Sequence, residues 1–382
     1  MRLPALAFSE RVKTRIDKGE DLVPVRGVPV LPMPQHVVDA ARVAAAQPHA
    51  RATRGTPALR EAIAHALRTT QSITVDPESE VLVTHGAQHG MSVALRALVA
   101  PGASVIVPTP TYFFDGMLRS AGAQPKYVAT SSSDGWAMDP AAIRDAIDSN
   151  TRAILLCNPN NPTGNTPTVE VLRAIVDMAE QHDLYVLSDE SYERYVHSGP
   201  GYVPLRSLAD STKPSTDRIV TVTSLSKNYA FTNWRVGYVH AATPTLNTIH
   251  SAFEWDAIDV GSVPQAAAVA ALSGPQDWLD VEFATMKQRR DALVRVLARS
   301  GVPVAIPDAG VFLLADLSAS GLTGCELEES LLDHGITALS GDGFHAPAGH
   351  VRLIYGADIS SVTALGERVG AFLTSGEVGR LR

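Results

Sequence analysis

Cysteine is scarce: only Cys157 and Cys325 occur in 382 residues. They are too few and too far apart for a disulfide framework or a thiolate metal site, and they suit a reducing compartment. No apolar stretch approaches the roughly 20 residues that span a bilayer. The apolar run within the opening MRLPALAFSERVK is too short for a secretion signal. Basic residues form no run, and 32 Lys and Arg stand against 40 Asp and Glu, for a net charge of −8 and a pI near 5.8. No nucleic-acid surface is expected from that balance. The dinucleotide fingerprint G-x-G-x-x-G is absent, which makes a nicotinamide enzyme a poor candidate. Lys-Thr-Gly is absent too, which removes the serine acylase that Ser224-Leu225-Ser226-Lys227 would otherwise match. What is left is a cytoplasmic chain, 45% hydrophobic and 19% charged, long enough for a large core and two domains.

The most informative stretch is TVTSLSKNYAFTNWRVGY, residues 221–238. It opens from the β-branched run Ile219 to Thr223, which suits a buried strand, and Trp234 to Val239 reads as a second strand. Lys227 lies between them. A lone lysine is usually an exposed solubilising residue. Held in an apolar setting, though, it loses hydration, its pKa falls, and its amine can form a Schiff base with an aldehyde. Arg235, Ser224 and Ser226 supply what a nearby phosphate needs.

The order Ser-x-Ser-Lys and then Arg-Val-Gly resembles the cofactor-lysine segment of the fold-type I pyridoxal-phosphate enzymes, most nearly the class I/II aminotransferases. Other segments carry the same resemblance. Strand 80–84 runs into Gly86, Ala87 and Gln88 and a helix, an arrangement that binds anions through free backbone N–H groups and resembles the family's phosphate loop. Pro108 to Tyr112 resembles its Pro-x-aromatic element, with Tyr112 as the ring that stacks on the pyridine and a cis bond implied at Thr109–Pro110 or Asn161–Pro162. Phe113 and Phe114 are expected in the core. Asn158-Pro159-Asn160-Asn161-Pro162-Thr163-Gly164 is a long and specific match, and it implies that Asn161 touches the cofactor's phenolic oxygen and the substrate carboxylate. Asp189 ends a strand, where a buried carboxylate needs a cationic partner such as the pyridinium N–H. Tyr192 matches the tyrosine that donates to the phenolic oxygen, while Glu190 and Glu193 are expected to face solvent or a helix N-terminus. Gly349 to Leu353 resembles the strand whose arginine, here Arg352, clamps the α-carboxylate. Gly27, in the Pro- and Gly-rich stretch 25–34, matches the loop that covers the substrate.

The resemblance implies the aspartate-aminotransferase-like α/β fold. A large domain with a mostly parallel sheet flanked by helices would hold the cofactor, beside a smaller α+β domain. The expected division is an N-terminal arm and covering loop at 1–40, packing with the small domain, the large domain at 41–275 and the small domain at 276–382. The chemistry implied is amino transfer between an L-amino acid and a 2-keto acid, through pyridoxal 5'-phosphate on Lys227, in a homodimer with shared active sites. An added N-terminal DNA-binding domain is not expected, since the matching region begins by about residue 25.

Two departures bear on specificity. Ala50 stands where the family has a tyrosine that reaches the partner subunit's cofactor phosphate, with His49 or Arg51 as substitutes. Glu254, Asp256 and Asp259 occupy the region that, in members acting on acidic amino acids, reaches from the partner subunit to supply an arginine. Those acids either solvate a rim or favour basic and neutral side chains over acidic ones. A third, smaller departure puts Ser340-Gly341 where the family has Pro-Gly. The alternative activity is elimination, cyclisation or oxidation in a specialised pathway, as in capreomycidine synthase, which the same residues would serve.

Overall fold

The computed structural model describes residues 3–24, 27, 31–47, 51–209 and 217–374. In chain order they form α1 (Pro4–Asp17), α2 (Gln35–Ala45), α3 (Pro57–Gln71), β1 (Val81–Thr84), α4 (Ala87–Leu98), β2 (Ser104–Thr109), α5 (Asp115–Ser120), β3 (Gln124–Ala129), α6 (Pro140–Asp145), β4 (Thr151–Cys157), α7 (Val169–His182), β5 (Tyr185–Asp189), β6 (Ile219–Ser224), α8 (Leu225–Asn228) and β7 (Gly237–Ala241). There follow α9 (Thr243–Asp256), α10 (Ser262–Ser273), α11 (Asp277–Arg299), β8 (Phe312–Asp316), α12 (Gly324–Asp333), β9 (Leu339–Ser340), β10 (His350–Ile354) and α13 (Ile359–Thr374). Among them no helix is long and apolar enough to cross a membrane.

Two sheets organise the chain. The larger has the order β1-β7-β6-β5-β4-β2-β3. Its β3, β2, β4, β5 and β6 are parallel neighbours, and β7 runs antiparallel to both β6 and β1. Strands β1, β2, β6 and β7 are buried along their whole length, as continuous apolar strands covered on both faces must be. One face packs the large core of Val83, Val105, Leu155, Val222 and Val239, and the other packs Ile154, Leu156, Val186 and Ile219 against α7. Parallel strands deliver their C-terminal ends to one edge, where open α/β sheets bind ligands. Here Cys157, Asp189 and Ser224 end β4, β5 and β6.

The smaller sheet, β8-β10-β9, is antiparallel. It packs with α11, α12 and α13 around Leu293, Leu313, Leu331, Val351 and Val369. Helix α1 docks onto this unit: Phe8 joins Phe113, Leu332, Leu339 and Phe344 in a separate apolar cluster. Arg11 reaches Glu328 and Glu329, and Arg15 reaches Glu329 and Asp333.

Several local expectations shift. Trp234 and Arg235 are not strand: Arg235 has φ +54°, in the left-handed region, so β7 begins only at Gly237. Residues 302–306 form no strand and contribute one bridge, Val304 to Ala315, because Pro303 and Pro307 remove ladder donors. Pro34 caps α2 rather than starting it. Glu190 is 1% exposed, against the expectation of a solvent-facing acid. It accepts hydrogen bonds from Ser188 Oγ at 2.9 Å, from the Leu205 amide at 3.1 Å and from the Tyr202 hydroxyl, and three donors suffice to hold a carboxyl inside. Burial pushes its pKa up to about 7. Glu193 is half-buried and accepts from Gln71 Nε2 at 2.6 Å and from Asn228 Nδ2 at 3.2 Å.

Candidate active site

The C-terminal edge of the large sheet faces the small unit across a cavity of about 820 Å³. Lys227 lines it. The lysine sits on α8, a single helical turn that follows directly on β6, and Ser224 caps the turn by accepting from the Ser226 amide at 3.1 Å. Tyr195 Oη donates to the Lys227 carbonyl at 3.3 Å. The turn is therefore held from both sides, and the amine projects into the cavity. Burial lowers the lysine pKa to about 8; the nearby Arg352 and Arg235 charges push the same way, and Asp189 opposes them.

Asp189 ends β5 in register with Cys157 of β4 and Val222 of β6. Its Oδ1 accepts from the Ser191 amide at 3.1 Å. Desolvation raises its pKa, and it forms no salt bridge among the described residues. A buried carboxylate in that position calls for a cation from outside the chain.

The anion end is built from backbone. Gly86, with φ +82°, precedes α4 and turns the chain so that the helix N-terminus opens on the cavity. A Cβ on Gly86 would lie 2.8 Å from Arg235 Nη2, so the glycine makes the room in which that guanidinium sits. Strand β7 presses on the same loop: a Cβ on Gly237 would fall 2.7 Å from the Gly86 carbonyl carbon and 2.8 Å from the Ala87 nitrogen. Ala87, Gln88, Ser224, Ser226 and Arg235 all line the cavity, and Arg235 Nη1 lies 3.5 Å from Ser226 Oγ. Free helix amides, hydroxyls and a guanidinium together make an anion site.

The opposite end holds Arg352 on β10. Its Nη1 donates to Asn161 Oδ1 at 3.1 Å, and its guanidinium carbon lies 4.7 Å from the Phe344 ring centre and 5.8 Å from that of Phe312. Its Nε is buried with no hydrogen-bond partner. Burial lowers its pKa to about 10. An orphaned buried donor on a guanidinium is the signature of a site waiting for a carboxylate.

Asn161 is fixed by the turn around it. Its amide donates to Cys157 Sγ at 3.4 Å, and Asn160 Nδ2 donates to the Pro110 carbonyl at 3.0 Å. The peptide bonds before Pro110, Pro159 and Pro162 are cis. Tyr112 and Tyr192 complete the walls. The Tyr192 ring meets Phe312 edge-on at 5.0 Å, and burial raises the pKa of both phenols, that of Tyr112 to about 12. Phe113 and Phe114 are buried, as expected, although Phe113 also lines the cavity. Gly27 lies at the mouth, where a Cβ would be 3.3 Å from Ile354 Cδ1.

The residues singled out from sequence thus converge on one cavity, with Gly86 directly behind it. The acidic segment does not. Asp256 pairs with Arg96 and His89, each at 2.8 Å, Glu254 lies 3.5 Å from His250, and neither they nor Asp259 line the cavity. Ala50 and His49 lie outside the described residues. Sequence reasoning missed Cys157, Ser191, Thr232, Phe312, Leu339, Ile354 and the exposed face of α1, all of which line the cavity. Ile354 carried a usable signal, since residues two apart on a strand share a face and Arg352 had been placed. Helix α1 carried none, because its approach depends on contacts more than 300 residues away.

These features fit pyridoxal phosphate. A half-buried amine of lowered pKa, a buried acid lacking a cation and an anion cradle share a volume within the range of cofactor sites. Comparison with known proteins points the same way. The family described as aminotransferase class I and II matches residues 28–369. The aspartate/prephenate aminotransferase of Thermus thermophilus is 31% identical, over 93% of this chain and 92% of the relative. The arginine–pyruvate transaminase of Pseudomonas aeruginosa is also 31% identical, over 90% and 88%. The solved structure of Thermus thermophilus aspartate aminotransferase with maleate superposes with a TM-score of 0.90 at 29% identity, covering 97% of both chains.

Proposed function

The chain belongs to the class I and II aminotransferases, pyridoxal-phosphate enzymes that move an amino group between an amino acid and a keto acid, and from that premise we propose how its residues divide the work. The cofactor, when bound, supplies an aldehyde that condenses with amines and a ring that accepts the electron pair left at the substrate Cα. Lys227 Nζ is the amine that holds it and, once displaced by the amino acid, the base that takes the Cα proton and returns it. Its pKa near 8 leaves a useful fraction uncharged at neutral pH. Asp189 would hold the proton on the bound cofactor's ring nitrogen, and Tyr192 and Asn161 would serve its phenolic oxygen. Tyr112 offers it a flat π surface. Gly86, Ala87, Gln88, Ser224, Ser226 and Arg235 take the phosphate. Arg352, with Asn161 beside it, grips the substrate carboxylate, and Gly27 belongs to the covering loop. We place the arm at 1–40, the large domain at 41–275 and the small domain at 276–382.

One observation carries this reading: a half-buried lysine of depressed pKa shares its cavity with a buried acid and two arginines. The test is the pH dependence of cofactor capture by the cofactor-free protein. Only the free amine attacks the aldehyde, so the rate should climb tenfold per pH unit and level off near pH 8. A rate that kept climbing towards the ordinary lysine value of 10.5, or a product without a borohydride-sensitive absorbance, would sink the assignment of Lys227.

Selection among amino acids is read from charge. Within one protomer the cavity's described carboxylate is Asp189, which belongs to the cofactor, so neutral side chains are favoured over acidic ones, and Glu254, Asp256 and Asp259 do not line their own chain's cavity. Nothing in the geometry favours cyclisation or oxidation over amino transfer. We also propose a twofold dimer. Trp255, 94% exposed at the end of α9, and the exposed Ile258 beside it give an apolar surface that a second copy covers. Sedimentation should return about twice the 40.6 kDa chain mass, and a Trp255→Glu substitution should shift the protein towards monomer. A fully active wild-type monomer refutes it.

A further inference from the structure

Beyond the carboxylate clamp, the cavity changes character. On β10 the residue two past Arg352 is Ile354, on the same face of the strand, and Leu339 of β9 is the register partner of Arg352. Both side chains line the cavity next to the clamp, and Phe113 closes the same side. Helix α1 borders the same cavity, with Phe8 and Val12 packed in the cluster that holds Leu339 and Phe113. One stripe of that helix is already used, with Phe8 buried in the cluster around Phe344. The stripe turned to the cavity carries Leu6, Val12 and Ile16, and Leu6 and Ile16 remain 59% and 54% exposed. Single exposed apolar residues are ordinary, but several that converge on one cavity beside an anchor for a carboxylate form a built surface.

The charges in the lining sharpen the point. Apart from the groups already given to cofactor and carboxylate, the described lining offers one ion, Lys13. Its side chain is 76% exposed and paired with Asp17 at 2.6 Å, one helical turn away. Such a pair offers little to a substrate carboxylate, and a substrate guanidinium or ammonium meets no free acid.

We infer that the amino acid this enzyme turns over carries a large, uncharged, apolar side chain of the leucine, methionine or phenylalanine class, seated against the apolar lining made by Ile354, Leu339 and the Leu6, Val12 and Ile16 face of α1. The inference rests on the residue roles proposed above. The half-reaction is that of the family: amino acid and pyridoxal phosphate give the 2-keto acid and pyridoxamine phosphate, the amino group and the aldehyde oxygen changing places.

The test uses the holoenzyme and two readouts. In single-turnover half-reactions, leucine should exceed alanine in kcat/KM by about 50-fold, at roughly fourfold for each added carbon buried, and should exceed aspartate and arginine by more. In the second readout, which needs no turnover, 4-methylpentanoate should perturb the cofactor absorbance at a lower concentration than butanedioate does. Ile354→Ala should lower the leucine-to-alanine ratio by about tenfold. Ile16→Lys, at a surface position that folding does not need, should lower it as well and narrow the gap between 4-methylpentanoate and butanedioate. If aspartate or arginine matches leucine while the cofactor absorbance is normal, this inference falls and the assignment of Lys227 stands. If no borohydride-sensitive absorbance forms at all, both fall together. Unchanged ratios in both variants would overturn the assigned seat.

Discussion

Replacing Lys227 by alanine is expected to leave a folded protein that neither holds pyridoxal phosphate covalently nor turns over amino acids. Two losses combine. The amine that captures the aldehyde is gone, and so is the base that moves the Cα proton. A positioned base alone accounts for about 10²–10⁴ in rate, so the combined fall in kcat should be at least about 10⁴. Folding should survive, because the amine makes no salt bridge among the described residues and its burial costs stability rather than adding it. Removing an ammonium from a site crowded by Arg235 and Arg352 relieves like-charge repulsion. The protein should therefore melt no lower than wild type in its cofactor-free form. Absorbance, borohydride reduction with mass spectrometry, and thermal melts would be read together. A Lys227→Ala protein that still shows the band and turns over as before would disprove the role given to this residue.

Why so much of the site could be read from sequence is clear from where its residues sit. Asp189 is the last residue of β5, and Lys227 and Asn161 lie within one turn of the ends of β6 and β4. A strand that must be apolar on both faces leaves polar residues only at its end, so a charged residue there stands out. The turn 158–164 was legible because two prolines and a glycine fix the backbone in a string too long to arise by chance. Arg235 was named correctly as a neighbour of the anion loop, but its local structure was not. Val236 to Val239 looks like strand from its alternation, whereas Arg235 takes a left-handed turn conformation that places its guanidinium in the space beside Gly86. Glu190 was misplaced because a carboxylate defaults to solvent, and the donors that hold it inside, Tyr202 and the Leu205 amide, lie more than ten residues away. The same limit hid the apolar side of the cavity. Leu339 was read as part of a strand, but its place beside Arg352 depends on register between strands. The approach of α1 depends on arginine–glutamate pairs between the two ends of the chain.

Arg352 sets function against stability, and its replacement should move the two in opposite directions. In the absence of substrate the Arg352 side chain is half-buried, with its Nε shielded from solvent. Among the described residues it donates one hydrogen bond, to Asn161, leaves Nε unsatisfied and rests on the faces of Phe344 and Phe312. The ring faces recover about 0.5–2 kcal/mol of what burial costs, while an unpaired buried charge costs several kcal/mol. Arg352→Met keeps the length and removes the charge. The cofactor-free variant should gain about 1–3 kcal/mol of stability, measured by denaturant titration at equal slope. Catalysis should suffer in return. A bidentate clamp on a carboxylate contributes two charge-assisted hydrogen bonds at about 1.5–3 kcal/mol each, so kcat/KM should fall by roughly 10²–10⁴ for every amino acid tested. Arg352→Lys keeps the charge without the fork, and it should recover part of the activity and none of the stability. The loss should spare cofactor capture, because Lys227, Asp189 and the anion loop are untouched, and slightly raise the Lys227 pKa, since Arg352 is one of the charges that depress it. A destabilised Arg352→Met protein with normal kcat/KM would mean that this guanidinium braces the small sheet and that the carboxylate is held elsewhere.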